Sequence, residues 1–145
     1  MQKVAPVPPA EGLLSDAVLA KIRIPFIQRA SVVVDGTRED LFVVDLGLRG
    51  VFLERAEPLA TGTAIEVSFL LPGNEIAVQA RCRVAWRRAG GVAGPVRTPP
   101  AGIGIEFVEM SARDAERVRE HLLAYLGRHP RHRRFLRHPE AEEDA

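Results

Sequence analysis

The chain has 145 residues, 46% of them apolar, and a formal net charge of +1. That is room for one domain with a sizeable core, and it excludes a field strong enough to draw the whole molecule onto nucleic acid or an anionic membrane. The single cysteine, Cys82, excludes an internal disulfide and a multi-cysteine metal site.

Residues 1–12, rich in Pro and ending at Gly12, read as a disordered leader with no apolar signal core. No apolar stretch reaches the length of a membrane span, so the expectation is a cytoplasmic protein without membrane insertion. Residues 13–22 read as a linker or short helix, with Leu14, Val18 and Leu19 on one face.

From Phe26 the apolar period becomes two, and residues 23–127 read as the folded domain. Strands are expected over 26–34, 40–46 and 50–54, the first two joined by the turn Asp35-Gly36. Ile65, Val67, Phe69 and Leu71 alternate with Glu66, Ser68 and Leu70 as a fourth strand. In the fifth, Ile76, Val78, Ala80, Cys82, Val84 and Trp86 share an inward face, and Gln79, Arg81, Arg83 and Arg87 a solvated one. Residues 89–101 form a long Gly/Pro-rich loop. Ile103, Ile105 and Phe107 mark a sixth strand.

Ser111 then caps a helix whose stripe is Val118, Leu122, Tyr125 and Leu126, with Gly127 as its expected C-cap. Residues 128–145 read as a flexible charged tail: five Arg and three His in 128–138, four acids in 139–145. The fold class is therefore all-β with one helix, a six-stranded antiparallel barrel covered by the C-terminal helix.

The motifs follow a recognisable order. Arg23-Ile24-Pro25 precedes the barrel, and Asp45-Leu46-Gly47-Leu48-Arg49-Gly50 joins the second and third strands. Trp86 ends the fifth strand, and Gly102-Ile103-Gly104-Ile105-Glu106-Phe107 leads into the capped helix. Over residues 20–127 this resembles the PilZ domains, receptors for cyclic di-GMP. The resemblance implies an Arg-x-x-x-Arg linker and an Asp/Asn-x-Ser-x-x-Gly turn that hold the nucleotide. Arg23, Asp45 and Gly50 match that pattern. Leu19 stands where the first Arg is expected, and Gly47 where the Ser is expected; both motifs are degenerate at these positions. Lys21 and Arg49 are further candidate ligand contacts.

Arg suits phosphate and the guanine edge because its planar fork gives paired hydrogen bonds. Losing one such contact and one hydroxyl contact would weaken binding by about 1.5–4.5 kcal/mol. Two readings follow. One is a degenerate PilZ adaptor in cyclic di-GMP signalling, acting through a protein partner in the control of motility, pili or exopolysaccharide. The other is a true cyclic di-GMP receptor with a reduced site. A nucleic-acid-binding barrel ranks last, because it needs exposed aromatics beside arginines. No nucleophile, metal or phosphate-loop motif supports an enzyme. No cofactor or metal is expected, and the tail histidines His129, His132 and His138 lack carboxylates at ligand spacing.

Overall fold

A computed structural model describes residues 15–90 and 100–129. Its elements are α1 (Asp16–Leu19), β1 (Arg23–Val34), β2 (Thr37–Gly47), β3 (Gly50–Glu54), β4 (Ala64–Phe69), β5 (Val78–Arg88), β6 (Gly102–Met110) and α2 (Ala112–Arg128). The expected leader, Leu14, most of the long loop and the tail beyond His129 lie outside the described residues.

Alternating apolar residues create six half-buried strands, and every pairing is antiparallel. The strand order is β1-β2-β3-β6-β5-β4, and β1 pairs with β4 to close the barrel. Closure removes free edges, which an open sheet would have to protect. Asp35 and Gly36, at φ 56° and 78°, form the two-residue turn between β1 and β2. Positive φ at both positions is what such a hairpin needs.

The interior is lined by Val32, Val43, Val51, Leu53, Val67, Val84, Ile103 and Ile105, all buried. Helix α2 adds Val118, Leu122 and Leu126 from one face. Ser111 caps it by accepting from Asp114 N–H at 3.0 Å. Asp114 in turn accepts from the Gln79 N–H at 3.1 Å and pairs with Arg117 at 2.8 Å, tying the first helical turn to the start of β5. Phe26 meets Phe69 and His121 edge-on, with centroids 5.7 and 5.5 Å away. Arg119 pairs with Asp16, so α1 is held beside α2.

Several expectations are corrected. β1 begins at Arg23 rather than Phe26, because Pro25 sits at a register shift that the strand absorbs. Ile76 is 65% exposed: β5 starts only at Val78, after the turn around Gly73. Trp86 is not on the inward face, because a second register shift falls between Val84 and Trp86 and turns the indole outward. Past that shift Arg87 lies opposite the core residue Ile103 and leaves the face of Arg81 and Arg83. Those two are exposed, as expected of a solvated face, and they pair with Glu109 and Glu106, each at 3.0 Å. Gly127 is helical rather than a cap, and His129 ends α2 by donating its N–H to Leu126 O. Val18 is half-exposed, so among the described residues of that predicted face Leu19 alone is buried.

Candidate functional site

The two segments that carry the motif residues, 22 positions apart, become neighbours because β1 and β2 pair with Pro25 opposite Asp45. Arg23 reaches back along β2. Its Nε and Nη2 donate to Asp45 Oδ1 at 2.7 and 2.6 Å, and Nη2 lies 3.4 Å from the Gly50 carbonyl. The pair is partly exposed, so its contribution to stability is about 0–1 kcal/mol. Its main effect is on position: it fixes the guanidinium over the β2–β3 turn.

Gly50 has a structural reason that no ligand need supply. A Cβ there would stand 1.8 Å from the Ile105 carbonyl oxygen of β6. Gly47 is buried beneath Arg23, where a Cβ would lie 3.0 Å from Nη1. Leu19 is fully buried in the main core with Ile22. Lys21 and Arg49 are exposed and form no ion pair among the described residues.

The strand register extends the site beyond the motif. Asp45 lies opposite Phe52, Phe52 opposite Gly104, and Gly104 opposite Trp86. At about 4.8 Å per strand, this row carries the outer surface about 14 Å from Asp45 to Trp86. Phe52 is only 2% exposed although it lies outside the main core. It is covered by Trp86, stacked at 5.2 Å, and by the Arg88 guanidinium at 4.6 Å from its ring centroid. Arg88 also lies 5.3 Å from the Trp86 ring. The rings settle on β6 because Gly102 and Gly104 present no side chains; a Cβ at Gly104 would be 2.1 Å from Trp86 Nε1, and one at Gly102 2.6 Å from the Phe52 ring.

Phe52, Arg88 and the two-glycine floor escape sequence reasoning. Phe52 hides within the continuous apolar run Val51-Phe52-Leu53. The visible signal is the Gly-x-Gly spacing of β6 beside aromatic residues on both neighbouring strands. Chemically, the surface offers one cation–carboxylate pair, two exposed cations and a flat cation-capped aromatic shelf. Among the described residues no group of His, Cys, Asp and Glu is placed to hold a metal, and no helix is long and apolar enough to cross a membrane.

A closed six-stranded barrel with a covering helix and this motif order defines a class of small β-barrel domain. A sequence profile of the PilZ domain matches residues 20–127. The chain belongs to the PilZ domain family, whose members are typically regulatory domains of the cyclic di-GMP system rather than enzymes. Among solved structures it is similar to the Bacillus subtilis inhibitor of motility MotI/DgrA, at 12% identity and a TM-score of 0.60. That match covers 74% of this chain and 50% of the other, so this chain spans half the length of that protein. It is also similar to the PilZ domain of CeSA from a cellulose-synthesizing bacterium, at 20% identity and a TM-score of 0.48, covering 71% of this chain and 96% of that one. No match was found among curated protein sequences.

Proposed function

We propose that this chain is a cytoplasmic PilZ adaptor that acts by contact with a partner protein and binds cyclic di-GMP weakly or not at all. The observation that carries this reading is Leu19, at 0% exposure. The position where the family pattern has a ligand-facing arginine is here part of the hydrophobic core. The linker is therefore committed to the barrel through Leu19, Ile22 and the Asp16–Arg119 pair, with no guanidinium to offer from that position. Arg23 and Asp45, which match the pattern, face each other. The process regulated is motility, pilus function or exopolysaccharide production, and the likeness to a motility inhibitor makes swimming the first phenotype to assay.

A second reading, a receptor with a reduced site, is favoured by the exposed cations Arg49 and Lys21 and by Arg23 lying against Asp45. Calorimetric titration with cyclic di-GMP separates the two. The adaptor reading expects no saturable heat in the range of about 1–100 μM for either the parent or Arg23→Ala. Saturable binding near micromolar that Arg23→Ala abolishes would replace it with the receptor reading.

A further inference from the structure

The outer face of strands β4, β1 and β2 carries three exposed apolar side chains: Ile27 at 71%, Phe42 at 45% and Leu70 at 42%. The strand register gathers them around one cation. Arg29 stands opposite Phe42 on β2. On the other side Ala30 stands opposite Phe69 of β4, which brings the next residue, Leu70, beside Arg29. Gln28 Nε2 donates to the Leu70 carbonyl at 3.0 Å and holds it there. Phe26 and Ala30 point inward, leaving Ile27 and Arg29 exposed on the same stretch of β1. Singly scattered apolar residues need no explanation, but a contiguous group marks a contact surface.

The charges on this face are also unspent. The Arg29 guanidinium lies over the Phe42 ring at 5.3 Å from its centroid. A guanidinium in that position keeps edge donors for a carboxylate. Asp40, exposed and opposite Ser31, is the diagonal neighbour of Arg29 one row further along. Neither Arg29 nor Asp40 forms an ion pair among the described residues.

We infer that this face is the interface between two copies of the chain. A two-fold contact needs a patch that complements itself, residue i meeting j and j meeting i. An axis running across the strands, between the row of Arg29 and the row of Ser31, meets that need. It sets each Arg29 one strand spacing, about 4.8 Å, from the Asp40 of the other copy. It also lays Ile27 over the half-buried Val33. The carboxylate that complements Arg29 is thus carried by the same face, which favours a second copy over a different protein. A patch of this extent belongs with weak interfaces, below about 1,200 Å², so the dimer is reversible. Neither charged residue belongs to the Arg23–Asp45 pair, so the contact is independent of nucleotide binding.

The test is sedimentation velocity on the full chain from about 5 to about 500 μM, a range suited to a weak interface. The parent should move from the mass of one chain towards that of two. Arg29→Asp alone and Asp40→Arg alone set like charges together at both symmetry-related contacts, and each should weaken the dimer at least tenfold. An equimolar mixture of these two variants should dimerise again, because every contact between unlike chains is then of opposite charge. The chain carrying both changes should likewise recover. Ile27→Asp should abolish the dimer through the apolar part. A parent that stays a single chain at about 500 μM would overturn the inference and leave the patch to a different protein. So would single variants that dimerise like the parent, or a mixture that stays monomeric.

Discussion

Leu19→Arg restores the four-residue spacing to Arg23 and tests whether the linker is a docked element or a free strap. Leu19 is fully buried, and Ile22, 4% exposed, belongs to the same core. Removing a leucine from such a site costs about 2–5 kcal/mol. A guanidinium cannot remain there unpaired, so the linker must lift and take Ile22 partly into water. For a domain of this size, 1 kcal/mol moves the Tm by about 3–4 °C. The expected fall is therefore about 6–20 °C, measured by circular dichroism on the full chain. Leu19→Met conserves volume and should cost less than about 1.5 kcal/mol. Amide exchange would locate the damage, with protection lost first at the Leu19 N–H, which donates to Ser15 O at 2.8 Å. If Leu19→Arg melts within about 3 °C of the parent, Leu19 is not seated in the core. The main support for the adaptor reading would then be gone.

Three further outcomes follow from the same structure. Gly104→Ala places a Cβ within 2.1 Å of Trp86 Nε1 and must lift the indole off β6; Trp86 is the only tryptophan, so its emission should shift to the red, and an unchanged spectrum would contradict the shelf. Burial pushes the Cys82 thiol up to about 12, so it should resist a disulfide reagent at pH 8 in the folded chain and react once denatured; rapid reaction of the native protein would show the strand is open there. Burial, and then the nearby Arg128 charge, hold the His121 pKa below its ordinary value of 6.5. The unfolded chain takes up that proton first as pH falls, so the stability this residue contributes is present above about pH 6.5 and lost below it. Between pH 7.5 and 5.5 the parent Tm should fall more than that of His121→Gln, and parallel curves would refute the linkage.

The barrel was legible because its signals are local: a two-residue apolar period, an Asp-Gly hairpin turn and a Ser-capped helix. The misreadings arise where one inserted residue changes what a period means. Val84 and Trp86 are two apart in sequence and would share a face in a regular strand. The extra residue at Ala85 sends Trp86 outward, onto Phe52 and Gly104. The same physics lets β1 start at Arg23, because a strand can absorb an irregularity at Pro25 that looks like a break in the sequence. The candidate site was legible as residue types but not as contacts. Leu19 and Gly47 stand out as departures from a pattern, yet only distances show that one joins the core and the other makes room for a guanidinium. Gly47 and Gly50 carry the same letter for opposite reasons. One yields to strand packing, so its retention reports the fold. The other makes room chiefly for the Arg23 side chain, with the Ile22 carbonyl next nearest. That distinction is why matching a motif letter by letter finds the family here, while the contacts of Arg23 are read only from the structure.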